Sequence, residues 1–230
     1  MGYLIGFVDI LGFKEILKKK SPKKILDEIY YFTSKTFEEF KNIEVAIFYG
    51  DTFLLAQKSL VDRKKISNFL INLALIQGYF MSYSQNLVRG SFTYGELILH
   101  NLAYWVNEPL RMRGINIFLG EGLTKAVHLE QSPCPLIKID KELLCSIDRK
   151  DIFLFPYQGE MYLDLISHWE CCFEYEGLAI VEGFNTDYMK LYSILKENLR
   201  NLRKNENLRY KAKCIETYLT FLEKERKIKF

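Results

Sequence analysis

Two aspartates are the residues of this chain best placed to do chemistry. Asp9 stands in Phe7-Val8-Asp9-Ile10-Leu11-Gly12-Phe13 and Asp51 in Phe48-Tyr49-Gly50-Asp51-Thr52-Phe53, each at the end of a strand-like apolar run. Brought to one sheet edge, two carboxylates can share a hard divalent cation, which takes oxygen ligands and leaves positions open for more. Each aspartate also has an ordinary structural reading. Asp9 would cap a following helix, and Asp51 would complete a Gly-Asp hairpin turn. Gly12 permits a tight turn after the first run, so that successive N–H groups there can face an anion.

Positioning these residues falls to a short series of elements. Tyr3 to Ile10 reads as a buried strand, being short, apolar and rich in β-branched residues. Ser21-Pro22 starts a helix, with Ser as N-cap and Pro at the first helical position, and Ile25, Ile29, Phe32 and Phe40 continue one face. Glu44 to Tyr49 and Thr52 to Gln57 form a hairpin around Gly50-Asp51. A second amphipathic helix runs from about Asp62 to Gln85, carrying Ile66, Phe69, Leu70, Leu73 and Phe80. Leu87 to Leu97 alternates as a strand, with Arg89, Ser91 and Thr93 on one face. His100 to Phe118 lacks periodicity and reads as an irregular arm. Gly120-Glu121-Gly122 opens a helix with Leu123, Ala126, Val127 and Glu130, stopped by Pro133 and Pro135. Strands are expected at Leu136 to Asp140, Ile152 to Phe155 and Met161 to Ile166. Helices follow from Thr186, with their charge-rich face in solvent.

This order predicts an α+β fold, a mainly antiparallel sheet with helices on one face. Residues 1–170 would form the main domain, with a mainly helical extension over 171–230 packed on it. Neither a Rossmann nor a Walker phosphate motif is present.

Composition removes several function classes. The chain has 230 residues, 49% of them hydrophobic, enough for a sizeable core. Its 32 basic and 29 acidic residues nearly balance at +3, which gives no general argument for nucleic acid. The basic section around Arg200, Arg203, Lys204, Arg209, Lys211 and Lys213 is interleaved with acidic residues, which weakens a nucleic-acid reading there too. No apolar run approaches a membrane span, and no signal peptide is recognisable, so a cytoplasmic protein is expected. The odd set Cys134, Cys145, Cys171, Cys172 and Cys214 has no zinc spacing and suggests reduced thiols. His100, His128 and His168 give little support to a zinc or Ser-His-Asp site.

In order, these motifs resemble the class III nucleotide cyclase family. Its ferredoxin-like core carries an F-x-D-I-x-G-F strand end, a G-D hairpin turn, an R-x-G-I-x-x-G-E strand and a G-x-x-V-N-x-A-x-R-L helix. Here they correspond to residues 7–13, Gly50-Asp51, Arg89 to Glu96 with the first Gly shifted, and Gly120 to Leu129. The resemblance extends over about residues 1–130 and, more loosely, to 166. It implies cyclisation of a nucleoside triphosphate to a 3′,5′-cyclic nucleotide. Asp9, Asp51 and the carbonyl of Ile10 would hold two Mn²⁺ or Mg²⁺ ions. Leu11, Gly12 and Phe13 would cradle phosphates, with Lys14 either a point charge for them or solvated surface.

Departures from the family pattern bear on substrate. Purine cyclases read the base with a Lys three positions before the hairpin Gly and an Asp three before the helix Gly. Ile47 and Ile117 stand there, and neither can pair with a purine edge. Tyr49 is suited to base-site space and offers a hydroxyl, although it and Ile47 also suit an ordinary strand. This combination is similar to the pyrimidine cyclases of Pycsar anti-phage systems, which make cyclic UMP or cyclic CMP as a second messenger for a separate effector. That group's G-x-x-L-x-x-A-x-x-L-E helix is matched by Gly120, Leu123, Ala126, Leu129 and Glu130.

The ribose-orienting Asn and transition-state Arg of purine cyclases are replaced by Thr124 and His128. Thr124 retains a hydroxyl for the ribose, whereas His128 would have to be protonated to carry charge. Arg89 and Lys125 are the other candidates for that charge; for Arg89 the alternative is a salt bridge to Glu96 or Glu130. The resemblance also implies a homodimer with sites between protomers, and the arm near Trp105 to Arg113 is a candidate dimer element. UTP is preferred to CTP on family prevalence alone. A catalytically silent nucleotide-binding module is the competing function.

Overall fold

The computed structural model describes residues 2–19, 21, 23–24, 45–49, 51–59, 62–105, 112–132, 134–147, 152–168 and 188–225. Its centre is β1 (Gly2–Ile10), paired antiparallel with β3 (Thr52–Lys58) on one side and β4 (Val88–Glu96) on the other. With β2 (Val45–Tyr49), β7 (Ile137–Ile139), β8 (Leu154–Tyr157) and β9 (Glu160–Leu163) these form a seven-stranded sheet, ordered β2-β3-β1-β4-β7-β9-β8. Only β4 and β7 pair in parallel, the other neighbours being antiparallel. The fold is α+β, as expected.

Alternation along β1 sends its side chains into two separate apolar layers. Leu4, Val8 and Ile10 join the larger core with Phe53 and Leu55. Over this face lies α2 (Arg63–Ser84), through Phe69, Leu73, Ile76 and Phe80, together with α4 (Tyr188–Arg203) and α5 (Arg209–Glu225). Ile5 instead points to the opposite face, where Leu54, Ala56, Leu97 and Ala126 close a smaller cluster. Ala126 belongs to α3 (Glu121–Glu130), so helices cover both faces. The expectation of helices on one face is corrected here. Periodicity identifies an amphipathic helix but not the side of the sheet it covers.

The first helix after β1 also differs from expectation. α1 (Phe13–Lys19) begins directly after Gly12, whose φ of +77° suits glycine. Ser21 Oγ does accept a hydrogen bond from the Lys24 N–H at 3.3 Å, the geometry of the predicted N-cap. Residues 25–44, where that helix was expected to continue, lie outside the described residues.

The predicted irregular arm is instead a regular hairpin. β5 (Ile98–Trp105) and β6 (Met112–Leu119) pair antiparallel from Ile98↔Leu119 to Trp105↔Met112. Its sequence lacks apolar alternation because the hairpin forms its own two-stranded sheet rather than a strand of the main one. Further on, β9 stops at Leu163, earlier than expected, and residues 165–168 turn helically.

Thiol chemistry is a further correction. Cys134 and Cys214 form a disulfide, with Cα atoms 5.6 Å apart, whereas Cys145 is free and exposed. Cys171 and Cys172 lie outside the described residues. A sequence separation of 80 hides such a pair, which forms because α5 packs beside the connection from α3 to β7. No helix among the described residues is long and apolar enough to cross a membrane.

Candidate active site

Strand register brings the two aspartates together. Asp9 pairs with Thr52 on β3 and with Arg89 on β4, while Tyr49 pairs with Thr52 on β2. Tyr49, Thr52, Asp9 and Arg89 therefore occupy one cross-strand row. Asp51 precedes Thr52 in the turn, and its carbonyl accepts the Ile10 N–H at 3.0 Å. That bond ties the hairpin tip to the exit of β1. The edge is fixed from α2 as well, since the buried Gln77 Nε2 donates to the Val88 carbonyl at 2.9 Å.

Arg89 is the hub of this edge. Its Nε donates to Asp9 Oδ2 at 3.1 Å and forms an ion pair with Glu130 Oε1. Of the alternatives considered from sequence, the salt bridge to Glu130 is therefore present, and the Asp9 contact was not anticipated. Glu130 is buried, and its Oε1 has no aligned hydrogen bond despite the ion pair. Burial raises the Asp9 carboxyl above the usual range, and the nearby Asp51 charge raises it further against the pull of Arg89. Glu130 is raised by burial too, with Arg89 opposing and Asp9 adding repulsion.

Close backbone approach places Glu130 here. A Cβ on Gly95 would come within 2.5 Å of Gly122 Cα, so α3 lies directly on β4. Ser91 Oγ then donates to the Ala126 carbonyl at 2.6 Å, one turn before Glu130. Arg89, Ser91 and Thr93 all face this helix side, in agreement with the alternation.

The remaining predicted residues are distributed around this edge. The Leu11 N–H is already bonded to the Leu87 carbonyl at 2.9 Å, which removes it from a phosphate cradle and leaves Gly12 and Phe13 at the start of α1. Lys14 is exposed. Lys125 pairs with Asp140 at 2.8 Å and with Glu142, a second ion cluster that also receives the Thr93 hydroxyl on Asp140 at 2.5 Å. Thr124 and His128 lie on the exposed face of α3. Ile47 and Tyr49 lie on β2 and Ile117 on β6, but their side chains are outside the described residues.

Divalent cations fit the donor set. Asp9 and Asp51 offer hard oxygens on one edge, and their mutual repulsion is what a cation would relieve. Among the described residues no group of three or more His, Cys, Asp or Glu side chains is arranged to hold a metal. A two-carboxylate site of this kind needs oxygens from a ligand to complete the coordination.

Comparison with solved structures decides the fold family. The adenylyl cyclase CyaB from P. aeruginosa aligns with a TM-score of 0.50 at 14% identity, over 70% of this chain and 92% of that one. The fold is that of the class III nucleotide cyclases. The guanylate cyclase domain of RhGC from Catenaria anguillulae, in complex with GTP, matches with the same TM-score of 0.50, 14% identity and coverage of 70% and 92%. At this identity the likeness concerns the cyclase fold alone. No family model matches the chain, and no curated protein matches it.

Glu130 acquires its place only through the fold. The sequence offered it as a helix residue and a possible partner of Arg89, with no sign that it would be buried beside Asp9. Lys211 was legible only as one of several basic C-terminal residues. Its half-buried ammonium nevertheless lies within electrostatic reach of Asp9, Glu130 and Arg89.

Proposed function

We propose that this protein is a pyrimidine nucleotide cyclase that converts UTP to 3′,5′-cyclic UMP and diphosphate, as a second-messenger generator in anti-phage defence. The observation that carries the reading is the alignment of Asp9, Asp51 and Arg89 on one edge of a class III cyclase fold. Asp9, Asp51 and the Ile10 carbonyl would hold the two divalent ions. When bound, such ions supply Lewis-acid activation of the ribose 3′-hydroxyl and neutralise charge on the triphosphate. The chain itself positions the substrate. Gly12 and Phe13 offer N–H groups at the start of α1, and the backbone of Tyr49, a residue type suited to a base, stands in the same cross-strand row as Asp9. Ile47 and Ile117, at positions where purine cyclases carry polar readers, turn the preference towards a small pyrimidine.

Two copies of the chain would complete the site, since Thr124 and His128 stand on the exposed face of α3, available to a neighbour. Cyclic UMP would act on a separate effector. Incubation with each of the four ribonucleoside triphosphates and Mn²⁺, with products resolved by mass spectrometry, tests the reading. Cyclic UMP as the main product is expected; cyclic AMP, or no cyclic product, overturns it. Cyclic CMP would transfer the assignment to a cytidylate cyclase.

A catalytically silent nucleotide-binding module is favoured by one specific observation. Arg89 occupies Asp9 Oδ2, while Thr124 and His128 replace the Asn and Arg of active purine cyclases. Tight, metal-independent nucleotide binding without turnover would establish that reading.

A further inference from the structure

Glu130 breaks several local rules at once. It is the last residue of α3, where the helix carbonyls already present negative charge, it is buried, and it shares a single cation with Asp9. An apolar residue would end the helix at lower cost, so the carboxylate's place calls for a reason outside the helix.

The backbone that carries it is held on both sides. Before it, Ser91 Oγ donates to the Ala126 carbonyl at 2.6 Å; after it, Ser132 Oγ lies 2.6 Å from the Tyr162 hydroxyl and accepts the Cys134 N–H at 3.3 Å. The Cys134–Cys214 link fastens the same connection to α5. A carboxylate on so firmly held a backbone is presented to a fixed place.

Arg89 meets both carboxylates through one atom. Its Nε carries a single N–H, aligned on Asp9 Oδ2 at 3.1 Å, and the same Nε forms the ion pair with Glu130 Oε1. One N–H cannot be aligned on two carboxylates at once, and Glu130 Oε1 is the acceptor left without an aligned donor. Among the described residues, neither amino nitrogen of the guanidinium, with four N–H donors between them, has a hydrogen-bond or ion-pair partner. The Arg89 side chain is also the most exposed of the three, at 26% against 13% for Asp9 and 8% for Glu130. The carboxylates therefore grip the guanidinium at its root and leave the fork beyond it for a ligand.

A divalent cation at the Asp9–Asp51 edge would compete with Arg89 for Asp9 Oδ2. Glu130 Oε1 already lies within ion-pair distance of the same Nε, so a small turn gives the displaced N–H a new acceptor. Without Glu130, the guanidinium would lose its anchor and be repelled from the edge by the incoming cation.

We propose that Glu130 is a positioning residue for Arg89: its buried carboxylate is the second seat of the guanidinium, taken when a cation claims Asp9 Oδ2, and it keeps the two amino groups at the edge for the phosphate oxygens of a nucleotide. The assignment rests on the nucleotide-cyclase reading above and deepens it. Two amino groups in one plane suit bidentate bonding to a phosphate. The role also accounts for a carboxylate placed on a helix end that disfavours it.

Two measurements on the full chain test the assignment, with melting temperature recorded for every variant. The first follows the Arg89 Nε–H by ¹⁵N NMR as Ca²⁺ is added, the signal being assigned by its absence from Arg89→Met. In the wild type it should shift and stay in slow exchange with water; in Glu130→Leu, Ca²⁺ should bring it into fast exchange. The second is calorimetry with UTP at saturating Ca²⁺. Glu130→Leu should weaken UTP by about tenfold, the scale of losing an outer-shell partner, and Glu130→Gln, which keeps the shape and an uncharged acceptor, by less. In an Arg89→Met background the same Glu130→Leu change should alter UTP affinity by no more than about twofold, because the residue acts through Arg89. Unchanged UTP affinity in Glu130→Leu overturns the proposal, and so does tighter binding, which marks a carboxylate that merely repels the polyanion. Equal weakening with and without Arg89 overturns it too, as does an Nε–H that Ca²⁺ leaves protected in Glu130→Leu or exposes in the wild type. Should Glu130→Leu fold poorly, Glu130→Gln decides by the sign of its effect on UTP. A wild type that binds neither Ca²⁺ nor UTP refutes the cyclase reading itself, a result distinct from a defect confined to the variants.

Discussion

Two ion clusters lie on the α3 side of the same sheet, and they are built to opposite effect. In one, Lys125 and the Thr93 hydroxyl both serve Asp140, which also caps the 3₁₀ turn at Lys141–Ser146. Burial works against the Asp140 charge, yet these hydrogen bonds hold its carboxyl below the usual range. In the other, Arg89 is shared between Asp9 and Glu130, and both carboxyls are raised. The first cluster is satisfied within the fold. The second retains repulsion and an unaligned Glu130 oxygen, in keeping with the proposed site. Charge density alone does not separate structure from function, since both clusters contain a cation between carboxylates. What separates them is whether the fold stabilises the ionised form.

The most severe way to break this contrast is Asp51→Asn. On the proposed two-metal reading, cyclic product should fall by about a thousandfold or more, while the melting temperature without metal stays the same or rises as repulsion on Asp9 is relieved. Added Mn²⁺ should raise the melting temperature of the wild type and not of this variant. Retained turnover would remove Asp51 from the metal site.

Arg89→Met separates the two clusters next. Leaving Asp9 and Glu130 without their cation should cost about 3 kcal/mol in denaturant unfolding. The Mn²⁺-induced rise in melting temperature should then exceed that of the wild type, because the cation meets carboxylates that lack a partner. An unchanged or smaller Mn²⁺ response would show that the Arg89 cluster is structural like its neighbour.

Asp140→Asn should cost about 2 kcal/mol at neutral pH, through the charge-assisted hydrogen bonds from Lys125 and Thr93. The sign with pH follows from the lowered folded-state pKa. Stabilisation by ionised Asp140 is fully present above the unfolded-chain value of about 3.9 and is lost as pH falls through the folded value. The stability gap between wild type and variant should therefore close only in strong acid. A gap that closed near neutral pH would contradict the comparison. The smallest effect is expected from His128→Ala, which should alter stability by no more than about 0.5 kcal/mol because the side chain is exposed. Any fall in turnover in that variant then reports on chemistry across an interface between copies.

Much of the sheet was legible because its strands announce themselves locally. β1 and β4 were read from apolar and alternating runs, the β2–β3 hairpin from Gly50-Asp51, and α2 from its apolar period, its start fixed in the structure by Asp62, whose side chain accepts the Lys65 N–H at 2.9 Å. The β5–β6 hairpin was missed, since its residues do not alternate and its pairing is internal to the arm. Arg89 was chosen for its charge and strand face, and that face is where the fold puts it. Lys125 was the second candidate from the sequence, behind Arg89, and is engaged by Asp140 and Glu142, residues far enough along the chain that no local pattern could reveal them.

The sequence by itself set out the candidate groups for chemistry, hard oxygen donors at Asp9 and Asp51 and isoleucines where purine readers would stand, and an ordered set of motifs that implied the fold. These are matters of residue type and short-range periodicity. Only the tertiary structure decided which charges share a site. Strand register set Asp9 beside Arg89, and the Gly95–Gly122 approach lowered α3 until Glu130 was buried against them. Electrostatic partnership depends on distance and burial, and for residues this far apart along the chain both are set by packing.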